Sequence, residues 1–309
     1  MGAGQMAEEH VRVLLAAGLS AEAILVVGRG SERAEQLAQR YGVRASWGGL
    51  EGLRDVPRIA IVAVPETELA PVTCRLLERG ATHVLLEKPG ALDPSELDGI
   101  ADDQVFVAYN RRFYASVSRA RALIAEDGAV LSASFDFTEL EERVLRDAKR
   151  RGLASAILAR WGLANSLHVI DLAFHLSGDP LAVETLRSGA LPWHPSGAVF
   201  AGAGSLHGGG LFSYVATWSG AGRWGVEITT SKRKLVLKPL ETLHEQRRGS
   251  FELDLVEIDP EPEGVKPGLS GQWRAFIAAA RGEEADPALC TLSQARARLE
   301  LAGKIFGYE

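Results

Sequence analysis

Sulfur is scarce in this chain: two cysteines, Cys74 and Cys290, and two methionines in 309 residues. Two cysteines cannot build a disulfide framework, and such a composition fits a reduced, cytoplasmic protein. Neither sign of charge dominates, since 34 basic against 40 acidic residues leave a net charge of -6. The basic field of a general nucleic-acid binder is therefore lacking. Long apolar runs are lacking as well. Glu22 interrupts the best candidate, far short of the roughly 18 uncharged residues a membrane span needs. Glu8, Glu9 and His10 come too early for a secretory signal. There is no internal repeat and no low-complexity tail. The expectation is a soluble protein with no nucleic-acid and no membrane partner.

What the chain has is length and apolar content enough for about two domains. Its first hundred residues alternate regularly. Apolar runs at Ile24–Val27, Ile59–Val64, Val84–Leu86 and Val105–Ala108 read as buried parallel strands. Helix-period segments lie between them, near Arg33–Tyr41, Glu66–Arg79 and Pro94–Ala101. That rhythm predicts a doubly wound α/β domain. From about residue 129, strand-like runs crowd together: Val130–Phe137, Ala198–Ala201, Leu211–Trp218, Gly225–Thr230, Lys234–Leu237 and Phe251–Ile258. Helical segments at Ser166–Leu176, Gly271–Arg281 and Leu292–Phe306 complete an α+β domain on a mostly antiparallel, open sheet. The division expected is 1–110 and 111–309.

The opening residues Gly2-Ala3-Gly4-Gln5-Met6-Ala7 read as a dinucleotide-binding loop. Gly2 allows the tight turn, Gly4 lets the backbone approach a pyrophosphate, and Ala7 permits close packing of the helix that follows. Gln5 and Met6 fall in the phosphate-facing turn. With 33 glycines present, the pattern alone is weak; its context strengthens it, because an amphipathic helix (Val11, Leu14, Leu15) and a new apolar run follow. The strand that should deliver the chain into this loop is missing. The expectation is either a start set too late or a weakened cofactor site.

Two further groups of residues can carry chemistry. Glu87-Lys88-Pro89-Gly90 ends the run Val84–Leu86, at the carboxyl edge where open α/β sheets bind ligands. A lysine there can stabilise a substrate hydroxyl or oxyanion; equally, it can be a surface lysine paired with Glu87. In Asn165–Gly178, His168, Asp171 and His175 share one helix face, with Asn165 or Ser166 able to cap the start and Gly178 the end. His168 oriented by Asp171 can act as a general base. The same residues can instead be a buried polar group that positions the helix, or, with no further ligand nearby, a poor metal site.

Together these motifs make the chain resemble the glucose–fructose oxidoreductase / inositol dehydrogenase (Gfo/Idh/MocA) family. The resemblance rests on the Gly2–Ala7 loop, Glu87-Lys88-Pro89, Tyr109-Asn110-Arg111-Arg112-Phe113, and the His168-x-x-Asp171 helix ending in Leu176-Ser177-Gly178. It implies a Rossmann-like nucleotide-binding domain, an open-sheet domain, and an active site in the cleft between them. It further implies hydride exchange between a nicotinamide and a sugar or cyclitol carbon, with Lys88 on the reacting hydroxyl and His168 as acid/base. A homodimer or homotetramer through the open sheet is implied too. Many relatives carry an aspartate four residues before the histidine, where this chain has Ala164; Asn165 can hydrogen-bond a hydroxyl but cannot take up a proton.

After the second strand the chain reads Gly28-Arg29-Gly30-Ser31, without the acidic residue that holds a ribose 2′-hydroxyl in NAD sites. Arg29 and Ser31 can hold a 2′-phosphate, so NADP(H) is expected over NAD(H); the alternative is a helix cap at Ser31 beside a solvated arginine. On the substrate side, the basic stretch ending Glu141–Arg151, together with Arg160 and Trp161, suits the rim of a site for a phosphorylated or nucleotide-linked sugar, or is a solvated helix. Tyr109, Asn110 and Arg112 can bind hydroxyls or serve structure. The leading expectation is an NADP-dependent sugar or nucleotide-sugar oxidoreductase, with Lys88, His168 and Asp171 catalytic. A relative that retains its cofactor and cleaves glycosides, and a non-catalytic ligand-binding protein, are the alternatives.

Overall fold

A computed structural model describes residues 1–308. In chain order its elements are α1 (Gln5–Ala16), β1 (Leu25–Val27), α2 (Ser31–Tyr41), β2 (Arg44–Ser46), β3 (Ile59–Val62), α3 (Leu69–Glu78), β4 (His83–Glu87) and β5 (Val105–Ala108). Then come α4 (Ala115–Asp127), β6 (Val130–Asp136), α5 (Glu141–Arg151), α6 (Ser155–Ala159) and α7 (Leu167–Ser177). The strands β7 (Pro180–Ser188), β8 (Val199–Leu206), β9 (Leu211–Thr217), β10 (Gly225–Thr230), β11 (Arg233–Leu237), β12 (His244–Arg247) and β13 (Asp254–Leu255) follow. The chain closes with α8 (Leu269–Ala280), β14 (Cys290–Thr291) and α9 (Leu292–Phe306).

Two compact units result. The first is Met1–Phe113 with Pro262–Ala297; the second is Tyr114–Glu261 with the chain from Arg298 onward. This differs from a single cut after residue 110. Residues 262–297 return to the first unit because β14 pairs antiparallel with β5, Cys290 opposite Val107. In addition, α8 seats Trp273 and Phe276 in the core formed by Val11, Leu14, Val26, Leu85 and Phe106. A two-residue strand carries no periodicity by which sequence could reveal it.

The first unit's strands β3, β4 and β5 run parallel, and the apolar run Val84-Leu85-Leu86 is buried on both faces, as a covered parallel sheet requires. The sheet is split, however: β1 pairs only with β2, while β3 belongs to the order β14-β5-β4-β3. Met1 and Gly2 alone lie where a strand between β1 and β3 would run. Gly2 donates to the Val27 carbonyl at 2.9 Å, Ala63 donates to the Met1 carbonyl at 2.8 Å, and the Met1 nitrogen donates to Ile61 at 2.6 Å. Beyond them opens a cavity of about 650 Å³, lined by side chains that include Val11, Leu14, Val26, Ala60, Leu76 and Trp273.

The second unit is an eight-stranded sheet in the order β13-β12-β11-β10-β6-β9-β8-β7, antiparallel except for β6 beside β9. One face packs Phe135, Phe212 and Tyr214 under α7, with Phe174 edge-on to Phe135 and Phe212. Along β9 the alternation is strict: Phe212, Tyr214 and Ala216 point inward, Leu211, Ser213 and Val215 outward.

Two expected elements shrink. Pro94–Ala101 is a single 3₁₀ turn, Pro94–Leu97, opened by an Asp93/Glu96 capping box and followed by the left-handed Gly99. Of Phe251–Ile258, only Asp254–Leu255 pairs as strand, and Phe251 is fully exposed. The strands β2, β7, β12 and β14 and the helix α4 are not evident from periodicity.

Candidate active site

In the first unit, the glycine loop is built for close backbone approach. Gly2 has a φ of +109°, and a Cβ there would lie 2.1 Å from the Ala63 carbonyl oxygen, so no other residue fits. At Gly4 a Cβ would meet open space. Gly4 is also the N-cap of α1 and offers no side-chain cap. The first amides of this 12-residue helix therefore keep their positive end for a ligand. These observations fit the pyrophosphate of a dinucleotide. Glu8, one turn on, is held by Arg40 at 2.7 Å and Tyr41 at 2.8 Å, which ties α1 to α2 and keeps the Glu8 carboxyl below its ordinary range.

Beyond β1, Arg29 is exposed and forms no ion pair among the described residues, while Ser31 begins α2. The cap of α2 is Gly30 rather than Ser31.

Glu87 is the last residue of β4, and Lys88 follows it, half-buried, at the carboxyl edge of the sheet. Glu87 is buried and bonds His10 Nε2 at 2.7 Å. Burial alone would raise its pKa; the histidine hydrogen bond and the charges of His10, Lys88 and Lys266 outweigh that and lower it. His10, on the same face of α1 as Leu14, is a site residue that the motif reading passes over.

Tyr109, Asn110 and Arg112 lie after β5, and their contacts are with other parts of the first unit. Asn110 spends its amide on the Pro267 carbonyl at 2.9 Å, and the buried Arg112 donates to Gln294 at 2.9 Å with its guanidinium beside the Tyr109 ring. Tyr109 itself is buried. These side chains fasten parts of the first unit to one another.

In the second unit, α7 is entered through a single π-helical turn, Gly162–Ser166, not through a capping Asn165 or Ser166. Both side chains instead turn to Glu139, just past β6: Asn165 Nδ2 and Ser166 Oγ donate to one carboxyl oxygen at 2.9 and 2.8 Å. Burial pushes the Glu139 carboxyl up to about 7 in spite of these bonds. π turns concentrate where side chains must be re-aimed for function. Here the turn places Asn165 and Ser166 on a buried acid directly before His168.

His168 is buried in the first turn of α7, its ring 6.3 Å from that of Trp224. Asp171 is buried with Arg298 Nε at 3.6 Å, and Arg298 also holds Asp179 at 2.6 Å. Asp171 thus anchors α9 to α7, besides any part it has in orienting His168. Gly178 ends the helix at a φ of +91°.

The residues expected at a basic, aromatic rim have the following contacts. Trp161 is buried, and Arg160 lies over the Tyr308 ring at 4.9 Å. In α5, Arg143 and Arg150 are exposed around Asp147, while Val144 and Ala148 are the buried residues, as in a solvated amphipathic helix. Glu139 is the residue that sequence reasoning misses here; it stands three residues past the end of β6, in a stretch with no motif to mark it.

Residues 1–103 match the family described as an oxidoreductase family with an NAD-binding Rossmann fold, Gfo/Idh/MocA. The class of that part is thereby defined: residues 1–103 carry an NAD-binding Rossmann fold of the kind found in the Gfo/Idh/MocA oxidoreductases. No curated protein matches the sequence. Solved structures share the fold over nearly the whole length. UDP-N-acetylglucosamine 3-dehydrogenase from Acidithiobacillus ferrooxidans is 19% identical, with a TM-score of 0.75, over 98% of this chain and 94% of that one. Levoglucosan dehydrogenase in complex with NADH and levoglucosan is 20% identical, with a TM-score of 0.78, over 98% and 94%. An oxidoreductase from Agrobacterium radiobacter in complex with NAD+, L-tartaric acid and magnesium is 12% identical, with a TM-score of 0.78, over 99% and 94%.

Proposed function

We propose that this chain is an NADP-dependent oxidoreductase that moves a hydride between a nicotinamide and a hydroxyl-bearing carbon of a sugar, sugar derivative or nucleotide sugar. The observation that carries the reading is the uncapped first turn of α1 behind Gly2, a position where only glycine fits. The sugar class is supported by the neighbours in fold that act on levoglucosan and UDP-N-acetylglucosamine.

The nicotinamide, when bound, supplies or accepts the hydride. Gly2 shapes the turn, its own amide already bonded to Val27, while Gly4, Gln5 and Met6 hold the pyrophosphate through backbone amides, and Glu87 and Lys88 border the nicotinamide side. Arg29, exposed and without an ion pair among the described residues, and Ser31 meet the 2′-phosphate. Lys88 places its ammonium on the reacting oxygen and stabilises its alkoxide character. His168 takes the hydroxyl proton in oxidation and returns it in reduction. Asp171 keeps the imidazole in place from one turn away. Asn165 orients a substrate hydroxyl, its own amide group fixed by Glu139.

The outward face of the second unit's sheet supports a homodimer or homotetramer. The two cysteines, both free, support a reducing cytoplasmic setting. Among the described residues no helix is long and apolar enough to cross a membrane.

The test combines binding with turnover. NADPH and NADH are titrated into the full chain and into Arg29→Ala, and oxidation of UDP-N-acetylglucosamine and of levoglucosan is followed in wild type, Lys88→Ala and His168→Ala. The expected results are NADPH preference lost in Arg29→Ala by about tenfold or more, and turnover reduced at least about 100-fold in the other two. Unchanged turnover in both catalytic variants, or no dinucleotide binding by wild type, sinks the reading.

A further inference from the structure

The segment Pro262–Gly268 crosses the first unit without joining a helix or strand, yet it is held at two points. Arg12 of α1 donates to the Gly264 carbonyl, and Asn110 donates to the Pro267 carbonyl. Between these ties Lys266 reaches the first turn of α1, its ammonium 3.2 Å from the Met6 sulfur. A thioether is a weak acceptor for an ammonium. A lysine normally snorkels its charge to water along a flexible stem. Lys266 is instead half-buried and forms no ion pair among the described residues.

Its surroundings are named by charge. Burial lowers the Lys266 pKa; Glu87 and Glu9 pull it upward, and Arg111 pushes it down. Glu87 is already satisfied by His10 at 2.7 Å and has Lys88 beside it. The ammonium thus rests against the positive end of a helix whose amides carry no cap. Two positive potentials brought together with a weak acceptor between them are unfavourable in isolation, and a desolvated charge adds to that cost. An anion at the first turn of α1 relieves both at once.

We propose that Lys266 is a dinucleotide-binding residue, its ammonium supplying the fixed positive charge for the pyrophosphate at the first turn of α1. This rests on the dinucleotide reading above and adds to the glycine loop a side chain about 260 residues away in sequence. The loop provides amides and a helix dipole; Lys266 provides the full charge that those partial charges lack.

The test titrates NADPH and 2′-phospho-ADP-ribose, the latter with the pyrophosphate but no nicotinamide, into the full wild-type chain and into Lys266→Met, Lys266→Gln and Lys266→Arg. Tryptophan quenching or heat reads the binding, at low and moderate salt. The expected result is a loss of about tenfold or more for both ligands in Lys266→Met and Lys266→Gln, with a shallower salt dependence, and substantial recovery in Lys266→Arg. Melting curves identify folded variants, and Lys266→Gln gives the answer should Lys266→Met fail to fold. Binding within about twofold of wild type by the uncharged variants overturns the proposal and leaves Lys266 as a counter-charge to Glu87. A loss for NADPH but not for 2′-phospho-ADP-ribose also overturns it, by placing the charge at the nicotinamide. No binding of either ligand by wild type removes the dinucleotide reading itself, a separate and recognisable outcome.

Discussion

Glu139 shows how much a single residue can hide from sequence. Its partners Asn165 and Ser166 come 26 and 27 residues later, and His10 meets Glu87 across 77 positions. No local pattern announces such pairs, whereas Lys88 and His168 stand in short motifs whose spacing is readable. The raised pKa of Glu139 has a definite sign. Its carboxyl binds a proton more tightly folded, at about 7, than at the ordinary 4.5. Its contribution to stability is therefore fully present below pH 4.5 and lost as pH rises through 7, by at most about 3 kcal/mol. Glu139→Gln keeps an acceptor for Asn165 and Ser166 without titrating. Denaturant unfolding at pH 5 and pH 8 is expected to show wild type losing stability relative to Glu139→Gln at the higher pH. An equal pH response in the two proteins counts against a buried, proton-holding Glu139.

At the scale of elements, the parallel strands were legible because burial on both faces leaves continuous apolar runs, as in Val84–Leu86. The entrance to α7 was not. A capping residue and a π turn draw on the same polar side chains, and only the position of Glu139 decides between them. The segment Pro94–Ala101 has a helix period, but the turn closes within four residues. The open place between β1 and β3 invites a direct experiment. Four or five β-branched residues fused ahead of Met1 would lay apolar side chains into the 650 Å³ cavity and give both strand edges a partner. Offset by the entropy of ordering them, the expected gain is on the order of 2 kcal/mol, read as a higher denaturation midpoint. A glycine–serine extension of equal length is the control. Equal stability of the two extensions would show that the cavity does not take a strand.

For the molecule as a whole, the two-part division followed from the change of rhythm near residue 129, but the return of residues 262–297 to the first unit did not. That return depends on α8 and the two-residue β14, whose contacts lie far back in the chain. The outward face of the eight-stranded sheet presents Leu131, Leu181, Leu186, Leu211 and Val215, each more than half exposed. An apolar face of this kind is normally covered. Light scattering is expected to find wild type as a dimer or tetramer, and Leu186→Glu with Leu211→Glu as a monomer of nearly unchanged melting temperature. A monomeric wild type would refute the assembly.

The dipeptide Met1-Gly2 is a component shared by sheet and loop. Its three backbone bonds are what join β1 to β3, and its glycine is also the first residue of the loop that leads into α1. Sheet closure and loop geometry are therefore linked equilibria. Whatever steadies the loop lowers the free energy of the joined sheet, and whatever loosens the sheet weakens the loop to the same extent. A ligand at this position acts as a fastener as well as a reactant.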